Sequence, residues 1–324
     1  MELNLKIKQY CSSLGLDTIG FTSCRKFDEL TAYYEKKFQD NKFNEFEEHE
    51  VGKKIDPYRY MVGGKTIISI AFPYLFEEKT NSNDIYFSKY TYVKDYHKVV
   101  SKYLEKICRY LEDLGGCAKH FVDNNSLPER YIASLCGIGF VGKNKMLITE
   151  KYGSFVFLGE IITDLEIKAD TIKENKCGTC NICIETCPGN TLSRDDFNNC
   201  LSYLTQKKEI TDCEILKLGG RLFGCDTCQD VCPYNKNICF SKLEEFTPYD
   251  FMKNVNIDEL VNLNKNNFNL KYRITSCGWR GKNILQRNAI INKYIVRGGN
   301  IDNISTNSDY VRDYCNRLLN KIKL

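Results

Sequence analysis

The sequence predicts an α+β fold in three parts, and three observations carry that prediction. Helix-period and strand-period runs are interleaved from residue 3 to about 164, as in a mixed α/β domain. A cysteine-rich stretch, 177 to 232, then repeats a metal-ligand spacing. Beyond about residue 245 the chain turns helical and basic. The expected boundaries are 1–168, 169–245 and 246–324.

The N-terminal part opens with Leu3, Ile7, Tyr10, Cys11 and Leu14 at helical spacing, stopped at Gly15. A short strand over Asp17 to Thr22 and a helix over Phe27 to Phe38 follow. KTIISIAFPY at 65 to 74 is apolar and β-rich, which suits a buried central strand. Residues 77 to 94 carry turn residues and aromatics without a period. Val99, Val100, Tyr103, Leu104, Ile107, Leu111 and Leu114 mark the clearest amphipathic helix, Tyr96 to Leu114. KHFVDNN at 119 to 125 reads as a strand ending in Asp123, with Asn125 or Ser126 capping the helix of PERYIASLCGIG. KMLITEKYGSFVFLGEIITD reads as a hairpin turning about Tyr152 and Gly153. In the C-terminal part, GWRGKNILQRNAIINKYIVRGG and DYVRDYCNRLLNKIK are amphipathic helix candidates, too few for a solenoid.

The cysteines supply the chemistry. CGTCNICIETCP from 177 reads CxxCxxCxxxCP, the spacing that holds one [4Fe-4S] cluster by three thiolates and sends the fourth to a neighbouring cluster. CDTCQDVCP from 225 lacks the leading cysteine, and Cys200 is the nearest upstream thiol to replace it. The sets then close as Cys177, Cys180, Cys183 and Cys232 for one cluster, and Cys200, Cys225, Cys228 and Cys187 for the other. The result is a ferredoxin-like module with two [4Fe-4S] clusters. Structural zinc uses paired CxxC but gives no reason for the third cysteine or for a proline after each run. Disulfides need an oxidising compartment, and MELNLKIKQY lacks the apolar block of a signal peptide. The other nine of the 17 cysteines read as small core residues.

Composition sets the class. No apolar run approaches the roughly 20 residues a membrane helix needs, so a soluble, cytoplasmic protein without membrane contact is expected. Residues 265 to 324 hold twelve Lys and Arg against three Asp, a net +9, which leaves −5 for the rest of a chain whose total is +4. That asymmetry points to a polyanion such as nucleic acid, or simply to a solvated basic face. Two clusters move electrons singly, and some 170 preceding residues exceed what a bare electron carrier needs. A redox enzyme with its own relay is the expectation.

Longer stretches then resemble one family. DYHKVV (95–100), FVDNNSLPERYIA (121–133), GIGFVGKNKMLIT (137–149), YGSFVFLGEIITD (152–164), CLSYLTQ (200–206), GGRLFGCDTCQDVCPYNK (219–236) and GWRGKNILQRNAI (278–290) resemble, in order, the epoxyqueuosine reductases. These are cobalamin-dependent iron–sulfur enzymes that complete queuosine at the wobble position of tRNA. The resemblance makes the N-terminal domain cobalamin-binding. It implies base-off cobalamin cycling between cob(II)alamin and cob(I)alamin, fed through the clusters by an external low-potential donor of flavodoxin or ferredoxin type. It also implies a monomer with tRNA as partner. DYHKVV lacks the glycine of DxHxxG, so no histidine on cobalt is implied, and His97 by itself reads as a structural residue.

The resemblance assigns residues as well. Asp123 aligns with the proton donor, and a strand-terminal aspartate facing a corrin and a nucleoside would be desolvated, its pKa raised toward a useful value. Corrinoid contacts carried over are Lys54, where the family usually has Arg, with Ser88, Ser202 and Asp226. The backbone at Leu147–Ile148 and Leu158–Gly159 is expected to edge the ring, or to be plain core strand. Glu129 and Arg130 orient the active-site loop or pair on the surface. For tRNA, Trp279, Arg280, Lys282, Gln286 and Arg287 combine an aromatic, amides and cations, although Trp279 reads equally as an anchor of the last helices. The Cys187–Cys200 spacer is shorter than in relatives. Two rivals remain: a corrinoid enzyme acting on a small molecule, like the reductive dehalogenases, and a two-cluster electron carrier.

Overall fold

Segments rich in β-branched and aromatic residues pair into strands, here β1 (Ile19–Ser23), β2 (Thr66–Pro73), β3 (Tyr86–Phe87), β4 (Ala118–Phe121), β5 (Phe140–Val141), β6 (Leu147–Ile148), β7 (Val156–Thr163) and β8 (Arg221–Phe223). The computed structural model describes residues 2–76, 84–302, 304 and 306–320. Chain contacts divide it into two compact units, one of Met1–Leu75, His97–Glu185 and Gln229–Glu244, the other of Phe76–Tyr96, Thr186–Cys228 and Glu245–Leu324. These units cut across the linear parts expected from sequence. Cys187, the last thiol of the first run, falls in the second unit, and Cys232, the last of the second run, in the first.

The first unit is built on an antiparallel sheet of order β1-β2-β7-β4. Every residue of β2 is buried. Each large apolar side chain there contributes roughly 1.5–3 kcal/mol. The amphipathic helix is Tyr96–Asp113, with Val99, Val100, Leu104, Ile107 and Leu111 buried. It lies so close to β7 that a Cβ at Gly159 would stand 2.8 Å from the Leu104 and Val100 side chains. Ile67, Ala71 and Ile162 instead join Ile132 and Ala133 of the helix Glu129–Leu135 in one core. Tyr152 and Gly153 do turn the chain, as expected, and Thr149 bridges to Gly153. The hairpin, however, does not form: β6 pairs with β5, while β7 is hydrogen-bonded on both sides by β2 and β4.

In the second unit β3 runs parallel to β8. Phe87, Leu222 and Phe223 share a core with Leu201, Leu204, Leu260, Leu285, Ile290, Val311 and Leu318. The two C-terminal helices are Lys282–Arg297 and Asp309–Asn320, preceded by the short helices Asp250–Lys253, Ile257–Val261 and Lys265–Leu270. The basic end of the last candidate, Lys321 and Lys323, and the turn-rich residues 77–83 lie outside the described residues. No helix among the described residues is long and apolar enough to cross a membrane.

Candidate functional site

Cys177, Cys180, Cys183 and Cys232 line one small cavity in the first unit, with Ile148 and Tyr234 on its wall. The loop carrying the first three is held from two sides. Lys143 Nζ donates to the Gly178 carbonyl and to Asn181 Oδ1, each at 2.8 Å, and the Cys177 N–H donates to Asn175 Oδ1 at 2.9 Å. Cys232 is placed by its neighbours: the Tyr234 hydroxyl donates to the Lys176 carbonyl, and Asn235 Nδ2 donates to the Gln229 carbonyl at 2.7 Å. Burial pushes the Cys183 thiol up, and the sulfurs of Cys177, Cys232 and Cys180 push it further. Four mutually repelling thiolates in a half-buried pocket suit a cationic iron core that takes one sulfur per iron.

The second unit gathers the other set. Burial, first, raises the Cys228 thiol, followed by the charges of Cys225, Cys200 and Cys187. Cys200, at the N-cap of the helix Leu201–Leu204, is also raised by burial, against the lowering pull of the Tyr203 and Ser202 N–H groups. The short spacer from Cys187 closes tightly: a Cβ at Gly189 would stand 2.1 Å from the Asn199 carbonyl oxygen. Thus each expected quartet is brought together, one per unit. No group of three or more His, Cys, Asp or Glu among the described residues is placed to hold a single metal ion.

Asp123 lies two residues beyond the end of β4, in a left-handed turn with φ +50°. That conformation is costly for a non-glycine residue and persists where neighbours enforce it. Glu129 is the enforcer. Its Oε1 accepts from the Asp123 N–H at 2.7 Å and from Asn125 Nδ2 at 3.1 Å, while Asn125 Oδ1 takes the Leu127 N–H at 2.7 Å. Asn125 therefore makes the turn, and neither it nor Ser126 caps the helix, whose N-cap is Pro128 with no side-chain bond. His97 Nε2 stands 3.3 Å from Asp123 Oδ2.

The Asp123 side chain is 56% exposed on the protein surface. The desolvated carboxyls stand behind it. Burial, and then the Asp123 charge, raises Glu129 to about 7. Glu160, at 0% exposure, is raised well above the carboxylate range by burial and then by Glu129. Ser69, its cross-strand neighbour, donates to Glu160 Oε1 at 3.1 Å, and Oε2 is buried with no hydrogen-bond partner. Sequence reasoning passed over Glu160. Its signal was a lone acid inside the apolar strand VFLGEIIT.

The expected corrinoid contacts have protein partners. Ser88 Oγ donates to Asp226 Oδ1 at 2.5 Å, and Asp226 Oδ2 accepts the Lys89 N–H at 2.8 Å, both side chains being buried. The Lys54 ammonium lies 4.9 Å from the Tyr34 ring centroid and 5.5 Å from that of Phe43, and burial lowers its pKa. The Ser202 carbonyl accepts from Thr205 Oγ1 and Gln206 Nε2. Ile148 faces the Cys177–Cys232 cavity, and the absence of a side chain at Gly159 is explained by the approach of the helix Tyr96–Asp113.

Among the expected tRNA residues, Trp279 is 58% exposed, its Nε1 donating to Gln206 Oε1 at 3.1 Å, so it is not a core anchor. Arg280 covers the Trp279 ring at 4.8 Å and donates to the Gln206 carbonyl. Lys282 Nζ donates to Gln286 Oε1. Arg287 is a correction: it is 0% exposed, and its guanidinium donates to the carbonyls of Thr205, Lys207 and Lys208 and to the Tyr310 hydroxyl. A fork of fixed donors makes Arg a good internal brace where carbonyls converge. Gln286 is buried as well, and donates to the Val261 carbonyl.

Comparison with known proteins bears on the whole chain. Residues 54–124 match the family described as epoxyqueuosine reductase QueG, DUF1730, and residues 176–235 match a 4Fe-4S double cluster binding domain. The epoxyqueuosine reductase of Bacillus anthracis is 36% identical over 302 residues, covering 90% of this chain and 80% of that protein. The Bacillus subtilis enzyme is 34% identical, covering 90% and 78%. Among solved structures, an epoxyqueuosine reductase with an epoxyqueuosine-modified tRNA-Tyr stem loop superposes with a TM-score of 0.90 at 30% identity, covering 98% of this chain and 89% of that one. The enzyme from Streptococcus thermophilus gives 0.87 at 30% identity, covering 98% and 90%. On this identity and coverage, the chain belongs to the epoxyqueuosine reductase family.

Proposed function

We propose that this chain reduces epoxyqueuosine in the anticodon of tRNA to queuosine. The observation that carries the proposal is the near full-length likeness to a reductase structure that holds an epoxyqueuosine-modified stem loop. Converting the epoxide to an alkene breaks both carbon–oxygen bonds, consumes two electrons and two protons and releases water. The two cysteine quartets would hold two [4Fe-4S] clusters, which would supply one-electron transfer from an external low-potential donor of flavodoxin or ferredoxin type.

A base-off corrinoid needs no protein histidine on cobalt; His97 is turned to Asp123, and the His49 ring lies 5.4 Å from that of Phe43. A bound corrinoid would supply a strongly reducing, nucleophilic metal centre. Asp123 delivers a proton to the departing oxygen, its turn fixed by Glu129 and its carboxyl oriented by His97. Trp279 and Arg280 offer a stacking face to unpaired anticodon bases, and Lys282 a phosphate contact. The protein acts as a monomer in the cytoplasm, where tRNA is modified.

The test is conversion. Protein reconstituted with iron, sulfide and cobalamin, reduced chemically and given epoxyqueuosine tRNA, yields queuosine on nucleoside mass spectrometry. Asp123→Asn keeps its iron and corrinoid and yields almost none. Unconverted epoxyqueuosine with fully loaded wild type overturns the proposal.

A further inference from the structure

We propose that Arg221 sets the reduction potential of the cluster held by Cys187, Cys200, Cys225 and Cys228, by donating a charged hydrogen bond to the Cys225 sulfur. Arg221 Nε stands 3.2 Å from Cys225 Sγ. The rest of the guanidinium is braced so that this donor stays aimed. Nη1 donates to the Leu218 and Gly219 carbonyls at 3.3 and 3.2 Å, Nη2 donates to Thr227 Oγ1 at 2.8 Å, and the group lies 5.8 Å from the centre of the Tyr86 ring. Behind it, the Arg221 carbonyl accepts from Asn292 Nδ2 at 3.0 Å, which fixes β8 against the helix Lys282–Arg297. All of these partners except the sulfur are neutral, so the positive charge is spent on the thiolate. Thr227 Oγ1, 3.4 Å from the same sulfur, extends the contact.

The consequence follows from charge alone. One-electron reduction makes a cluster more negative, and a cation hydrogen-bonded to a ligand sulfur stabilises the reduced form more than the oxidised one. Arg221 therefore raises the potential of its cluster. The other quartet is treated differently: the nearby cation Lys143 is bound to the Gly178 carbonyl and to Asn181.

This inference rests on the cluster reading of the quartets, and the test separates the two. Full-length protein, reconstituted without oxygen, is titrated with reductant and followed by electron paramagnetic resonance in wild type, Arg221→Gln and Arg221→Lys. The Gln variant keeps its iron, and the midpoint of one cluster moves negative while the other stays. The Lys variant, with charge but no fixed fork, moves the same midpoint less far. Repeating Arg221→Gln in a Cys183→Ser background, which keeps only the cluster of the second unit, shows that the displaced midpoint belongs to it. Midpoints that coincide with wild type in the Lys variant and in any Gln variant that retains iron overturn the role of Arg221. Wild type with only half the iron overturns the cluster reading itself.

Discussion

At the scale of single residues, the chemistry is organised by acids of different exposure. Asp123 was legible as the family's acid because FVDNN is a distinctive string, but its setting was not. A positive φ, a carboxylate holding its N–H and a histidine 3.3 Å away arise from tertiary placement, which no local pattern encodes. Glu160 was missed for the opposite reason: strand periodicity predicts that its position is buried and says nothing of why an acid is there. Its raised pKa, with that of Glu129, has a consequence for stability. The unfolded chain releases both protons near the ordinary carboxylate value of about 4.5, whereas the folded chain holds that of Glu129 to about 7 and keeps that of Glu160 well above the carboxylate range, so stability falls as pH rises from about 4.5. Glu160→Gln removes much of that dependence. Urea unfolding at several pH values is expected to give a flatter profile for the variant, and an unchanged slope contradicts the assignment.

At the scale of elements, helices and strands were read better than their pairings. β2 and the helix Tyr96–Asp113 announce themselves by composition and period, because each buries its apolar face whatever it meets. The hairpin failed because adjacent strands pair only when no other strand claims their edges, and β7 is claimed on both sides. The helix Lys282–Arg297 shows a related limit. Its polar residues looked like one RNA-facing set, yet Arg287 and Gln286 point inward and brace carbonyls of the same unit. Arg287→Ala leaves buried carbonyls without donors, and a loss of more than ~4 kcal/mol is expected in urea unfolding. Trp279→Ala lowers stability by no more than ~2 kcal/mol, since the exposed side chain gives up a surface hydrogen bond to Gln206 and the contact with Arg280. Its effect falls on tRNA affinity, weakened by ~1–3 kcal/mol in a binding titration if a base stacks there. Equal stability losses in the two variants contradict this division.

At the scale of the molecule, the crossing cysteines are the feature that the linear sequence both reveals and hides. The spacing points to eight thiols in two candidate sets, with Cys200 as the expected replacement ligand, because ligand chemistry constrains the count. It hides the consequence that a ferredoxin-like stretch drawn as one segment, 169–245, is shared between two compact units. Basic charge at the C-terminal end was legible from counting alone, whereas which cations are exposed was not. The most direct measurement is the iron content of protein prepared without oxygen, for wild type, Cys183→Ser and Cys200→Ser. Two independent quartets predict about eight irons per wild-type chain, with each variant losing about half. About four irons or fewer in wild type, or an unchanged count in Cys200→Ser, contradicts the account.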